Sequence, residues 1–379
     1  MSTSTTPLQA SQQPRQQAKN RPAVALINPD HLRHNYALLQ QHSGSAKIMA
    51  VVKANAYGHG LKLIALTLAD AGCQSFAVTD ADEGLALRQI LSAQEHCEIV
   101  LLSGLFNTHD ARLAASAALT PLITTAQHIT WLHAAGFHGD VWIKIDSGMN
   151  RIGAEEPARL LLQCQQAGIN VCGVMSHLAC ADQPDHPMNQ QQLNTFTQLC
   201  DHIAADLPRS LLNSAGIAAM PTQAMQVVRP GIALYGIEPI ASHPLGLKPV
   251  MTFIGSIMQL RDIAAGDPVS YGADFLAPQA MRIATISLGY ADGVPRGLSN
   301  TGSVFIHDKL CPIVGRVCMD YTMVDISPLV ANHTAISVGE AVEFWGSHIL
   351  ANDVAAQLDS ISYTLFTGIG NRVQRIETN

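Results

Sequence analysis

Several short apolar runs of this chain end on residues that could bind an anion or carry out chemistry. Lys53 follows the run "KIMAVV". A lysine at the end of a buried strand could have a lowered pKa and act as a Schiff-base nucleophile. An ordinary surface lysine at a strand end is the alternative. Other apolar runs are followed by Lys144, His177, Asn213, Ser214 and Arg229. These side chains could form one site only if the fold brings the ends of the runs together.

The elements that would position them are strands alternating with helices. Apolar runs such as "SFAVTD", "EIVLLSG" and "DVWIKIDSG" are separated by helical stretches such as "LKLIALTLADAG" and "AQHITWLHAAG". This alternation is typical of a parallel sheet, and eight such units within residues 22–250 predict a (β/α)8 barrel. A doubly wound sheet is the main alternative, but its G-x-G-x-x-G turn is missing. In a barrel the ends of the strands form a single mouth, where the polar residues converge.

The last third of the chain has a different pattern. Residues 251–379 contain short β-like segments broken by Gly, Pro and Asp, including "MRIATISLGYADG" and "GSVFIHDKLCPIVGRVCMDYTMVDI", which predict a C-terminal, mainly-β domain. Residues 1–21 are polar and rich in Gln and Ser, so we expect a flexible tail rather than a signal or an anchor. Residues 22–28 could form a further strand of either domain.

Composition excludes several classes of protein. The net charge is −7, from 22 Lys+Arg against 29 Asp+Glu, and the absence of a long basic run argues against nucleic acid. Eight cysteines without a C-x-x-C pair favour a reducing cytoplasm over a disulfide framework. The 16 histidines are scattered without ligand spacing, so no metal is expected. No apolar stretch is long enough for a membrane span.

Seven motifs occur together and in a familiar order. They are "AVVKANAYGHG", "KIDSGMNRIG", "NSAG", "VRPGIALYG", "VSYGADF", "LGYADG" and "GRVCMDYTMVD". The chain resembles the alanine racemase family. Members of this family are pyridoxal 5'-phosphate (PLP) enzymes of fold type III, built from a barrel and a C-terminal β domain. The resemblance implies a PLP-dependent isomerase that interconverts L-alanine and D-alanine and supplies D-alanine for peptidoglycan.

The resemblance also assigns residues to the cofactor. Lys53 matches the Schiff-base lysine, and Arg229 matches an arginine that faces the pyridine nitrogen. Because arginine does not give up its proton near neutral pH, that nitrogen should stay unprotonated, which disfavours transamination. The positions that match the phosphate site are Tyr57, Asn213, Ser214, Gly231, Ile232 and Tyr363. A phosphate requires several converging N–H and O–H donors, and glycine lets the backbone approach closely.

Racemisation removes the α-proton from one face and returns it to the other. The resemblance implies that Lys53 works on the face of the D-enantiomer and Tyr271 on the face of the L-enantiomer. A tyrosine with a pKa of about 10 is a poor base at neutral pH, and in the family it is tuned by a hydrogen-bonded chain, here Tyr271, His177 and Arg229.

The remaining assignments concern the substrate and the entrance. Arg151 matches a contact to the substrate carboxylate, and Met319 matches a backbone contact. Lys144 matches a lysine that is often carbamylated in the family; unmodified, it would put like charges close together. Tyr290 and Asp320 match entrance residues.

The resemblance further implies a homodimer in which Tyr271 of one chain serves Lys53 of the other. An amino-acid racemase of broader range, or a PLP-dependent amino-acid decarboxylase of the same fold, is the alternative. The decarboxylases use a glycine-rich phosphate loop and an acidic partner of the ring nitrogen, and Arg229 argues against them. A non-catalytic PLP carrier would be a barrel alone, without a domain that carries Tyr271.

Overall fold

The computed structural model describes residues 21–93, 96–330 and 335–378. Its Cα positions divide into two compact units. The barrel unit contains Ala25–Thr252, Trp345–Ile369 and the residues from Arg375 onward. The sheet unit contains the described residues through Val24, Phe253–Phe344 and Gly370–Gln374.

Eight parallel strands close into a barrel in chain order, which confirms the predicted fold. These strands are β2 (Lys47–Val51), β3 (Ser75–Val78), β4 (Glu98–Leu101), β5 (Thr120–Ile123), β6 (Asp140–Lys144), β7 (Asn170–Met175), β8 (Arg209–Asn213) and β9 (Val227–Arg229). The barrel closes where Ile48 of β2 pairs with Val228 of β9. Because both faces of such strands are covered, they are nearly continuous apolar runs, and all four residues of β5 are buried.

Helices connect the barrel strands, and several of them begin at side-chain caps. The helices of this unit are α1 (Pro29–His42), α2 (Lys53–Tyr57), α3 (Leu61–Asp70), α4 (Ala81–Ile90), α5 (Thr108–Ser116), α6 (Ala126–Ala134), α7 (Pro157–Gln166), α8 (Pro187–Ile203) and α9 (Ser214–Ala219). The Asn28 side chain accepts from His31 N at the start of α1. Asp80 does the same for Glu83 N at α4. Such caps satisfy backbone N–H groups that have no partner within the helix.

The sheet unit is built from antiparallel pairs, which confirms the predicted mainly-β domain. Strand β10 (Met251–Ile263) pairs with β13 (Met281–Ile286), which pairs with β16 (Thr322–Asp325). Strand β14 (Ser303–Ile306) pairs with β15 (Lys309–Pro312) and with β17 (Ala341–Trp345). The remaining strands and α-helices of the described chain are β1 (Val24–Ile27), β11 (Pro268–Val269), β12 (Phe275–Leu276), α10 (Ser327–Val330), α11 (Ala351–Ala356), α12 (Ser362–Thr367) and β18 (Gln374–Glu377).

The two ends of the chain meet. Gln374 N donates to Ala23 O over 3.2 Å, and Thr378 N donates to Ile27 O over 2.8 Å. The predicted flexible tail lies outside the described residues except for Arg21, whose guanidinium forms an ion pair with Asp292. By their Cα positions, residues 345–369 group with the barrel unit. The domain boundaries at 21/22 and 250/251 stay a prediction.

The described residues lack two kinds of feature, a membrane-spanning helix and a metal-binding cluster. No helix there is both long and apolar enough to cross a bilayer. No group of three or more His, Cys, Asp or Glu side chains in the described ranges is arranged to hold a metal ion.

Candidate active site

A cavity of about 890 Å³ lies at the carboxyl ends of the barrel strands, and its lining belongs to the barrel unit. The predicted site residues that line it are Lys53, Tyr57, Lys144, Arg151, His177, Asn213, Ser214, Arg229, Gly231, Ile232 and Tyr363. The barrel thus brings together eleven predicted residues that are spread over three hundred positions of the sequence.

Lys53 begins the short segment α2, separated by one residue from the end of β2. Burial lowers the pKa of its amine, the nearby Arg151 lowers it further, and Glu83 partly opposes both. A lysine with a lowered pKa is more often neutral and so more nucleophilic.

The backbone after Lys53 is left-handed. Ala54, Asn55, Ala56 and Tyr57 have φ values of 52°, 54°, 53° and 51°. This conformation costs roughly 1–2 kcal/mol per residue outside glycine. Four such residues in a row persist only where the surroundings hold them. We call Ala54–Tyr57 the left-handed turn.

Cationic side chains are concentrated in the cavity. Burial, and then the charges of Arg229, Arg151 and Lys53, lower the pKa of Lys144 to about 8. Burial also lowers the pKa of Arg229, to about 10, so its guanidinium remains charged at neutral pH. Positive charge gathered in a cleft attracts an anionic ligand.

Arg229 is only 5% exposed and is held by acceptors beneath the cavity. Its guanidinium donates to Ser210 Oγ and to Ser176 O. It also approaches His177 Nδ1 at 3.4 Å. Burial and then the charge of Arg229 lower the pKa of His177 to about 3. The imidazole is therefore neutral, and Nδ1 can act as an acceptor. Arg229 and His177 are therefore neighbours in the cavity, and the chain through Tyr271 stays a prediction.

Hydroxyl and backbone donors meet on the side of β8 and β9. Ser214 Oγ accepts from Gly231 N at 2.9 Å and from Ala233 N at 3.2 Å. A Cβ on Gly231 would lie 2.5 Å from the hydroxyl oxygen of Tyr57, so only glycine fits there. The Tyr57 and Tyr363 ring centroids are 5.7 Å apart. Burial raises the pKa of Tyr363 to about 12 and raises that of Tyr57 as well. Both phenols stay protonated donors, so this set fits a phosphate group.

The loop after β6 carries Arg151. Asp146 Oδ1 accepts from Gly148 N at 2.8 Å and from Asn150 N at 3.2 Å, which folds the loop back on itself. Ala154 N then donates to Lys144 O at 2.7 Å and closes it. Arg151 lies exposed at the cavity, as expected of a residue that contacts a ligand.

Four predicted site residues lie in the sheet unit and do not line the cavity in the described chain: Tyr271, Tyr290, Met319 and Asp320. Tyr271 is 71% exposed. Tyr290 N donates to Cys318 O at 2.9 Å, which joins their two loops. The fully buried carboxylate of Asp292 supports this region through Arg21, Arg372 and Gly289 N.

The sequence reading missed the residues that support the site. Ser176 and Ser210 lie under Arg229. Gln192 donates to His177 O at 2.9 Å and accepts from Ala179 N at 2.8 Å. Glu83 accepts from Ala54 N at 2.7 Å. Ser176 could have been noticed as the polar neighbour of His177; no local signal marks the others.

The fold and the side chains define a (β/α)8 barrel with a cationic, lysine-containing mouth, and a second, sheet-rich unit. Two family models match the chain, the N-terminal domain of alanine racemase over residues 27–239 and its C-terminal domain over residues 250–377. The chain belongs to the alanine racemase family, which confirms the predicted resemblance.

Individual relatives match this chain over nearly all of its length. An alanine racemase of Stutzerimonas stutzeri is 38% identical over 94% of this chain and 99% of its own length. The structure of the biosynthetic alanine racemase of Pseudomonas aeruginosa is 36% identical and covers 95% of this chain and all of its own, with a TM-score of 0.85. The Bartonella henselae alanine racemase structure, described with covalently bound pyridoxal phosphate, is 33% identical over 94% of this chain and 99% of its own, with a TM-score of 0.87.

Proposed function

We propose that this chain interconverts L-alanine and D-alanine with PLP held on Lys53. The observation that carries the proposal is a lysine of lowered pKa in a cationic cavity of a chain that belongs to this family. When bound, the cofactor withdraws electrons from the substrate Cα and makes its proton removable.

The chain's own residues hold the cofactor and the substrate. The Ser214, Tyr57 and Tyr363 hydroxyls would donate to the phosphate, and Gly231 N would join them by exchanging its present acceptor, Ser214 Oγ, for a phosphate oxygen. Asn213 and Ile232 complete this part of the cavity lining. Arg229 remains a charged donor, so a ring nitrogen that it faces acts as an acceptor. Arg151 binds the substrate carboxylate, and Met319 contributes its backbone.

Two groups move the proton. Lys53 handles it on one face of the substrate, and Tyr271 handles it on the other. Lys53 and Tyr271 lie in different compact units, and Tyr271 is largely exposed. We propose a homodimer in which Tyr271 of one chain, with Tyr290 and Asp320 at the entrance, completes the site of its partner.

The biological setting follows from the family and the thiols. One relative, 37% identical, is named the biosynthetic alanine racemase of Pseudomonas aeruginosa. This supports a supply of D-alanine for peptidoglycan. All eight cysteines are free, which is compatible with a reducing cytoplasm.

Incubation with L-alanine in heavy water tests the activity. Optical rotation should vanish while the α-position gains deuterium, because the returned proton comes from solvent-exchanged groups. Neither carbon dioxide nor keto acid should accumulate. Released carbon dioxide would instead indicate a decarboxylase, and pyruvate an aminotransferase. Lys53→Ala, assayed in parallel, should leave both rotation and isotope content unchanged.

Gly231→Ala tests the phosphate site. The new Cβ would lie 2.5 Å from the Tyr57 hydroxyl oxygen, so the hydroxyl has to move away from the ligand. We expect PLP affinity to fall at least about tenfold, the effect of one lost charge-assisted hydrogen bond. Fluorescence titration of the cofactor-free chain measures it.

The Tyr57→Phe background is the matched control for this substitution. Without the hydroxyl, the added methyl group has more room, so the further loss caused by Gly231→Ala should be smaller. Equal losses of PLP affinity in both backgrounds would contradict the proposed phosphate site.

A further inference from the structure

Glu83 connects two strand ends of the barrel through its carboxylate. The residue lies in the first turn of α4, where Asp80 Oδ1 accepts from its backbone N–H at 3.0 Å and fixes its orientation. One carboxylate oxygen accepts from Ala54 N at 2.7 Å. The other accepts from Thr79 N, directly after β3, at 2.8 Å. The residue that follows Lys53 is thereby attached to the neighbouring strand.

The attachment point is the first residue of the left-handed turn. The second residue of the turn is secured by other bonds: Asn55 Oδ1 accepts from Leu61 N at 2.8 Å, and Asn55 O accepts from Gly60 N at 3.0 Å. At the near end, the Ala54 N–H has Glu83 as its hydrogen-bond partner. A strained segment of this kind returns to ordinary backbone angles once its supports are removed.

Lys53 precedes this turn and Tyr57 is its last residue, and both line the cavity. A change in the backbone angles of Ala54 therefore moves the amine and the phenol relative to each other. We propose that Glu83 is a positioning residue that holds the left-handed turn in place. It thereby sets Lys53 and Tyr57 at the spacing that the cofactor requires. This inference rests on the proposed function. The Glu83 charge also keeps the Lys53 amine from losing its proton too readily, against burial and Arg151.

Glu83→Gln separates the hydrogen bonds and the charge of the Glu83 carboxylate from the packing of its side chain. The amide keeps the shape, but one of its ends is a donor that cannot accept from Ala54 N or Thr79 N. We expect the affinity of the full-length, cofactor-free chain for PLP to fall about tenfold to a hundredfold, the range for a lost hydrogen bond to a charged group. The pKa of the Lys53 amine, followed by NMR after isotopic methylation, should fall as well.

Two further variants are the controls. Asp82→Asn removes an exposed charge from the same turn of α4 and should behave as wild type in both measurements. Glu83→Asp keeps the charge on a shorter arm, so it should restore most of the Lys53 pKa but only part of the affinity. It also keeps the test informative if Glu83→Gln does not fold.

The outcomes are distinct. Wild-type affinity in Glu83→Gln overturns the inference. Reduced affinity with an unchanged Lys53 pKa in that variant assigns Glu83 a purely structural role and also overturns it. If the wild-type chain binds no PLP at Lys53, by borohydride reduction and peptide mapping, the proposed function fails before Glu83 is tested.

Discussion

Mixing Lys53→Ala chains with Tyr271→Phe chains should restore about a quarter of the wild-type racemase activity, by the symmetry of a two-fold dimer. Each variant alone should lose about 10²- to 10⁴-fold, as expected when one acid–base group is removed. In a mixed dimer, one composite site carries both lesions and the other carries none. Random exchange makes half of the dimers mixed, and half of their sites are intact.

The placement of Lys53 and Tyr271 is the reason to expect that mixing restores activity. Lys53 lines the barrel cavity, whereas Tyr271 belongs to the sheet unit and is 71% exposed. A tyrosine serving as an acid–base group is expected to be shielded from water, because proton transfer requires a tuned environment. A second chain could provide that shielding.

A second pair of variants is the matched control. Lys53→Ala and Arg151→Ala both damage the barrel half of the site, so their mixture leaves no intact site in any dimer. That mixture should stay at the level of the parents, with exchange verified by a tag pull-down. If the activity of the Lys53→Ala and Tyr271→Phe mixture also stays at the level of its parents, both residues work within one chain.

The barrel and its mouth were predictable because they follow from local patterns. Apolar runs alternating with helices specify a parallel sheet, and the closed barrel gathers the strand ends. The positions of Lys53, Lys144, His177 and Arg229 at the cavity follow from the place of each in its run. A residue needs no recognised motif to be placed in this way.

Other features of the site depend on long-range contacts. Nothing in "KANAY" predicts a left-handed turn, since none of its residues is glycine and local energetics oppose it. Glu83 reads as an ordinary first-turn acid of α4, and only tertiary structure brings it to Ala54 N. Tyr363 lies on α12, which is too short for periodicity to reveal, and the sequence located it by resemblance alone.

Lys144→Met should stabilise the cofactor-free chain at pH 7 by on the order of 1–3 kcal/mol in buffer free of bicarbonate. Lys144 is 9% exposed. Burial and the charges of Arg229, Arg151 and Lys53 lower its pKa from 10.5 to about 8. At pH 7 the Lys144 amine of the folded chain is thus protonated, although its surroundings disfavour the charged form.

The pH dependence follows from the sign of this shift. A pKa lowered by folding means that the unfolded chain binds the proton more tightly, so the Lys144 contribution to wild-type stability rises with pH between about 8 and 10.5. The penalty is complete below pH 8, and the advantage of Lys144→Met should shrink through that window. Urea unfolding at several pH values measures it, and the exposed Lys47→Met should change stability by no more than about 0.5 kcal/mol.

Bicarbonate then tests the proposed carbamate. Carbon dioxide adds to the neutral amine of Lys144, forming an N–C bond, and the nitrogen releases a proton, so a cation becomes an anion. Because Arg229 and Arg151 are among the charges that disfavour the protonated amine, they favour the carbamate. Bicarbonate should therefore stabilise the wild-type chain and leave the stability of Lys144→Met unchanged.

If bicarbonate stabilises both chains equally, it acts elsewhere and Lys144 is not carbamylated. If neither responds and Lys144→Met is the less stable chain, then Lys144 is paired with an acceptor, and the like-charge account of the cavity is wrong.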